Sequence, residues 1–221
     1  MFRRHRPPSS SGIQSFLKEN SPMHSLLHTG TTEYSKQERI ELLRLAHQSI
    51  NAALEGRKLT IPSPSPHLAQ KRGAFTTLHL GGRLRGCIGY VDASNPLYET
   101  VIETAAAAAF QDPRFVPVNF EEATALQIEI SVISPMFPIQ PEEVVIGKHG
   151  LLITLRDRRG LLLPQVPLEW GWNREQFLTE LCHKAGLPGD AWQRGAQLEA
   201  FTAEVFGEEV PEESLGENHN G

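Results

Sequence analysis

Residues 84–89 read Leu-Arg-Gly-Cys-Ile-Gly and place a thiol between two glycines, two positions after an arginine. Glycine weakens a strand interior, so Gly86 and Gly89 there call for a bulge or for close approach of another backbone or a ligand. On an unbroken strand, alternation puts Arg85, Cys87 and Gly89 on one face and Leu84, Gly86 and Ile88 on the other. A guanidinium beside a thiol favours the thiolate, which makes Cys87 a candidate nucleophile. The missing side chain at Gly89 would leave room for a substrate. The competing reading is a small buried cysteine filling a tight crossing.

A cysteine nucleophile needs a base or a positive environment. His149, in Gly147-Lys148-His149-Gly150, is the candidate for that role, because the flanking glycines let a loop present the imidazole. It competes with a loop histidine that only bonds backbone. Glu129 falls on the polar side of an alternating run. As a partly buried carboxylate it asks for a partner, Arg85 or Arg114, and a structural salt bridge competes with an acid–base role. Asp112 and Arg114 flank Pro113 at a helix end, where a terminator with a local ion pair competes with ligand contact. Gln165, after an apolar run and Pro164, is placed to bind a substrate carbonyl or a loop backbone. The candidate catalytic set is therefore Cys87, His149 and Glu129. The candidate substrate-binding set is Arg85, Gly86, Gly89, Gln165, Asp112 and Arg114. No Cys-x-x-Cys spacing occurs, and no metal site is expected. No cofactor is indicated.

The elements that must carry these residues can be read from pattern. Ser35 with Glu38 makes a capping box before Ile40, Leu43, Ala46, Ile50 and Leu54, which recur at helical spacing up to Gly56. Residues 75–80 and 83–90 alternate around Gly81-Gly82, a two-residue hairpin turn. Asn95-Pro96 is expected to start an alanine-rich helix running to Phe110. Its low-volume surface lets another backbone come close. Asn119 with Glu122 predicts a short helix to Leu126, and residues 127–133 alternate as a strand. A second hairpin is expected at 151–155 and 161–163. Asn173 with Gln176 caps a helix toward Gly186, and 198–206 is expected to be one closing strand. Helices and hairpins without regular βαβ succession predict an α+β fold with mainly antiparallel sheet and flanking helices.

The chain has 221 residues, 39% hydrophobic and 21% charged, which suits a globular protein. Its 21 Lys and Arg against 26 Asp and Glu give a net charge of −5, which disfavours nucleic acid as the main partner. No run of about 18 apolar residues occurs, so no membrane span is expected. Arg3, Arg4 and Arg6 lead into Pro7-Pro8 and serines without an apolar core, so no secretory signal is expected. Two cysteines make no disulfide framework, and a cytoplasmic setting is expected. Residues 1–34 are expected to be a disordered tail, with Met1 and Met23 both open as the start, and residues 208–221 an acidic disordered tail, leaving one domain over 35–207.

Several segments resemble the AMMECR-type domain, whose prokaryotic members are called AmmeMemoRadiSam system protein A. Besides residues 84–89 they are Phe110-Gln111-Asp112-Pro113-Arg114-Phe115, Ile128-Glu129-Ile130-Ser131-Val132, Gly147-Lys148-His149-Gly150-Leu151 and Leu162-Leu163-Pro164-Gln165-Val166. Phe177-Leu178, Leu181-Cys182, Lys184-Ala185-Gly186-Leu187 and Trp192 continue the match in order, so that it spans roughly Glu38 to Glu208. The resemblance implies two unequal subdomains around a cleft lined by residues 84–89. It also implies association, by genome neighbourhood, with a Memo-like protein and a radical SAM protein. Two functions remain open: an enzyme using Cys87 on a small metabolite or modified protein, and a binding or scaffold module whose pocket holds a small molecule or peptide.

Overall fold

Helix α1 (Lys36–Leu54) starts at the expected capping box: Ser35 Oγ accepts the Glu38 N–H and Glu38 Oε2 accepts the Ser35 N–H. It ends before Gly56, whose positive φ reverses the chain. Its buried stripe includes Leu42, Leu45, Ala46 and Ile50, whereas Ile40, expected inside, is exposed. This is a computed structural model and it describes residues 32–61 and 64–208. Most of the two expected tails lies outside the described residues. Within them, Tyr34 is 1% exposed and packs in the core, and Glu208 accepts the Ile128 N–H.

The first sheet has the order β2-β1-β3-β8 and is antiparallel throughout: β1 (Ala74–Leu80), β2 (Arg83–Tyr90), β3 (Leu126–Ile133) and β8 (Ala203–Gly207). Gly81 and Gly82 close the β1–β2 hairpin with positive φ at both positions, as a tight primed turn demands. Helix α2 (Leu97–Phe110) lies across this sheet, with its alanines against β2. It begins with Pro96 rather than Asn95 in the cap position and has no side-chain cap; Asn95 Nδ2 reaches Glu103 instead. Helix α3 (Phe120–Ala123) is shorter than expected, because Leu126 already belongs to β3.

The second sheet has the order β4-β7-β5-β6: β4 (Phe137–Pro138), β5 (Gly150–Leu155), β6 (Arg158–Leu162) and β7 (Gln197–Phe201). Helix α5 (Arg174–Lys184), capped by Asn173 as expected, packs on it. Helix α4 (Val166–Trp170) has no counterpart in the sequence reading. The single closing strand expected at 198–206 is two strands. Thr202 lies between them; β7 pairs with β5 and β4, and β8 with β3. A strand whose pairing changes partner at one residue keeps its alternation, so pattern alone does not reveal the break. Each sheet has its own hydrophobic core, and the architecture is α+β. Among the described residues no helix is long and apolar enough to cross a membrane.

Candidate functional site

Cys87 reaches its position through a slip in the hairpin. The β1–β2 register shifts between Leu78 and His79, so that Arg85 has no partner in β1 and Cys87 stands opposite Thr77. A hairpin without that bulge, with Leu80 opposite Arg83, would set Cys87 opposite Thr76. Thr76 lies under α2, bonded to Thr104 Oγ1 at 2.8 Å. The bulge therefore turns the thiol away from the helix and toward the open side of the sheet. Thr77 is also paired with Glu129, so Cys87, Thr77 and Glu129 form one row across three strands. Thr77 Oγ1 donates to Cys87 Sγ at 3.3 Å.

The outer edge of β2 is held by the segment after α2. Asp112 Oδ2 accepts the Cys87 N–H at 2.9 Å, and Arg114 Nη2 donates to the Cys87 carbonyl at 3.4 Å. Arg114 also binds Asp112 through Nε at 3.0 Å and Nη2 at 2.7 Å. Burial would raise the Asp112 pKa, but hydrogen bonds from the Arg114 side chain and the Cys87 N–H outweigh it and hold the carboxyl below its ordinary value. Burial pushes the Cys87 thiol up; the Thr77 hydrogen bond and the Arg114 charge oppose this, while Asp112 and Glu129 add to it. The resting thiol is protonated at neutral pH.

Arg85 does not supply the guanidinium beside the sulfur. It is buried and forms a two-point ion pair with Glu122, Nε to Oε1 and Nη2 to Oε2, both 2.9 Å. Its Nη1 is buried without a hydrogen-bond partner. The Phe115 ring lies 6.0 Å from the Arg85 guanidinium carbon and 5.4 Å from that of Arg114. Arg114 takes the place beside Cys87.

The glycines serve packing. A Cβ on Gly86 would stand 2.2 Å from the Ala108 carbonyl oxygen, so Gly86 is the point where β2 and α2 meet backbone to backbone. A Cβ on Gly89 would stand 2.2 Å from Phe75 Cγ; the space beside that glycine is filled by the Phe75 ring.

His149 and Gln165 stand apart from the thiol. His149 is buried before β5, its Nδ1 accepts the Val145 N–H at 3.2 Å, and its ring meets Phe137 edge-on at 5.9 Å. Burial lowers its pKa, Lys148 adds to the effect and Glu143 opposes it. The Gln165 carbonyl accepts the Leu168 and Glu169 N–H groups at the start of α4. Neither residue lines the cleft.

That cleft has a volume of about 750 Å³ and lies between the two sheets. Its first wall is β2 from Cys87 onward with the flank of α2 that bears Glu103. Its second is β6 and the end of α5, with Arg159, Leu161 and Lys184. Of the residues singled out from sequence, Cys87, Gly89 and Arg114 line it. Asp112 reaches it by holding both Cys87 and Arg114, and Glu129 shares the row of Cys87. Thr77, Arg159 and Lys184 were not singled out. The alternation of β1 could have indicated Thr77 only with the bulge known, and nothing local in the sequence marks the two cations. Among the described residues no three His, Cys, Asp or Glu side chains are placed to hold a metal ion together.

Two antiparallel sheets, each with its own core and helices, define the structural class as α+β. The chain belongs to the AMMECR1 family, whose model matches residues 43–206. It is similar to Protein PH0010 of Pyrococcus horikoshii, 42% identical over 184 residues, 77% of this chain and 89% of that protein. Protein MJ0810 of Methanocaldococcus jannaschii is 42% identical over 179 residues, 76% of this chain and 89% of that one. The crystal structure of the uncharacterized protein PH0010 matches with a TM-score of 0.68 at 41% identity, covering 81% of this chain and 96% of that one.

Proposed function

We propose that this chain is a cysteine-dependent enzyme that takes a small molecule into the cleft between its sheets and attacks it with Cys87. The observation that carries this reading is the placement of the thiol. A bulge turns Cys87 toward the open side of the sheet, Asp112 and Arg114 fix its backbone, and the cleft runs along it. In the reaction the sulfur forms a bond to an electrophilic carbon and the leaving group departs with its electron pair. Glu129, in the same cross-strand row, takes the thiol proton, and the Thr77 hydroxyl, which donates to Sγ, stabilises the thiolate that forms. Arg114 offsets negative charge at the sulfur. A thiol that rests protonated is spared oxidation and becomes nucleophilic only when a base accepts its proton.

Alkylation tests the reading. Iodoacetamide is expected to label Cys87 in the folded protein, while Cys182, which is fully buried, labels only on unfolding. A Cys87→Ser variant that melts like the parent is expected to lose the cellular phenotype. A variant that melts normally and retains every phenotype would sink the reading.

The raised thiol pKa and the remoteness of His149 favour a second reading, a binding or scaffold module for a Memo-like and a radical SAM protein, with Cys87 as packing. That module would retain a co-purifying partner in the Cys87→Ser variant.

A further inference from the structure

We infer that the small molecule taken into the cleft is a short peptide in extended form, which adds as a strand to the free edge of β2 at Gly89. The inference rests on the proposed reading of the cleft as a binding site and names the class of molecule that enters it.

The cleft is bordered by two sheet edges. β2 ends the strand order of the first sheet and β6 that of the second, so each has one side without a neighbouring strand. The Cys87 N–H and carbonyl point out from β2, because Asp112 and Arg114 bind them there. Backbone groups alternate in direction along a strand, so the Gly89 N–H and carbonyl point out from the same edge. On β6 the two-residue turn at Arg156-Asp157 closes on the pair Leu155–Arg158. Such a turn has a bonded pair at its base, so the backbone groups of Arg159 and Leu161 also point outward. Gly89, Arg159 and Leu161 all line the cleft. Ile88 lines it too, from the face of β2 opposite to Cys87 and Gly89, which sets the edge itself along the cavity.

The two outward pairs on β2 differ in what they meet. At Cys87 a carboxylate accepts the N–H and a guanidinium donates to the carbonyl, which are the bonds a neighbouring strand would make. At Gly89, among the described residues, no strand or loop backbone pairs with either group on that side. The face of Gly89 is closed by the Phe75 ring, 2.2 Å from where a Cβ would stand, so the direction left open is the edge. A bare edge is a template for another chain, and proteins cover it where pairing is unwanted. Here the cover stops at Cys87, and the uncovered pair lies in a cavity of about 750 Å³, the size for a few residues of chain rather than a folded domain. A donor and an acceptor on one extended residue match the N–H and carbonyl of a peptide strand. Leu152, Leu161, Leu163 and Val166 line the second wall and offer apolar surface to its side chains. Because Asp112 and Arg114 block the edge at Cys87, the added strand ends one repeat beyond Gly89, about 7 Å along, level with the thiol.

The test follows hydrogen exchange of single amides by NMR in the isotope-labelled full chain. The probe is a mixture of acetylated, amidated pentapeptides, randomised at every position without cysteine. The control is the same mixture N-methylated at every peptide bond, which keeps the side chains and removes the donors a strand needs. The amide mixture is expected to slow exchange at Gly89 by about fivefold or more and to leave Ile88, already paired with Thr76, unchanged. The N-methylated mixture should leave both unchanged. No slowing at Gly89 with the amide mixture, or equal slowing with both mixtures, overturns the inference. Exchange at an N–H is independent of thiol chemistry, so the experiment is repeated in Cys87→Ser, where the slowing should persist. Slowing at Gly89 in a protein whose Cys87 does not alkylate keeps the peptide site and sinks the nucleophile reading. Alkylation of Cys87 without slowing at Gly89 keeps the nucleophile and sinks the peptide.

Discussion

Asp112 accepts the Cys87 N–H on the outer side of β2, at 2.9 Å. An edge strand presents bare donors there, and an unpaired one attracts other strands. Here the donor is satisfied by a carboxylate that Arg114 locks in place. Truncation by Asp112→Ala would remove the acceptor of the Cys87 N–H and of the Arg114 Nε and Nη2 bonds, and is expected to cost about 2–3 kcal/mol of stability in urea melts. The pH dependence has a definite sign. The folded-state pKa of Asp112 is lowered, so its contribution is present above the unfolded carboxylate value and is lost as pH falls through the folded one. Between pH 5 and pH 2 the stability of the parent should fall more steeply than that of Asp112→Asn.

Arg85 and Glu122 should behave as a unit. Side-chain exposure is 10% for Arg85 and 24% for Glu122, so removing the carboxylate strands a guanidinium that already has one unpartnered nitrogen. Glu122→Ala is expected to cost about 3 kcal/mol, and Arg85→Met somewhat less. The double variant should lie well short of the sum, with a coupling of about 1–2 kcal/mol in a double-mutant cycle. Additive losses would contradict the pairing.

Gly86→Ala should be among the most damaging single-methyl additions. The new Cβ meets the Ala108 carbonyl, which is backbone and cannot swing aside. Separating α2 from β2 is expected to cost about 3 kcal/mol, or to prevent folding. Gly81→Ala is the control for added bulk: nothing lies within 4 Å of its Cβ, so its cost is only the positive φ, about 1 kcal/mol. Thermal melts of the two variants separate contact from backbone strain.

His149 should titrate as a structural group. Its folded-state pKa is lowered by burial, so its contribution is complete above the unfolded histidine value near pH 6.5 and declines as pH falls below it. His149→Asn keeps an acceptor for the Val145 N–H and should flatten that decline. Cys87 alkylation measured across the same range should be the same in both proteins; a large change on substitution would show that the imidazole does act on the thiol.

Much of this fold is legible before any coordinates. Ser35–Glu38, Asn119–Glu122 and Asn173–Gln176 announce helix starts, and Gly81-Gly82 announces a hairpin, because each depends on neighbours within a few residues. The alanine run and Gly86 foreshadow a close helix–strand contact. The company of Cys87 is less legible, because one bulged residue changes which face it joins. Arg85 sits two residues from the thiol in sequence and gives its charge to Glu122, while Arg114, 27 residues away, stands by the sulfur. His149 has the chemistry for a base, but its loop leads into the other sheet. Pairing across long sequence separations decides such matters, and local pattern does not carry it.

The chain passes between the sheets twice, at 134–136 and at Thr202, and these passages are laced together. The Ser134 N–H donates to the Thr202 carbonyl and the Thr202 N–H to Ser134 Oγ, both at 2.9 Å. The molecule is bound there like a book, with the cleft between its covers and this pair of bonds along its spine. Any occupant that spreads the covers must strain the spine, so amide exchange at Ser134 and Thr202 becomes a gauge of occupancy that needs no knowledge of the guest.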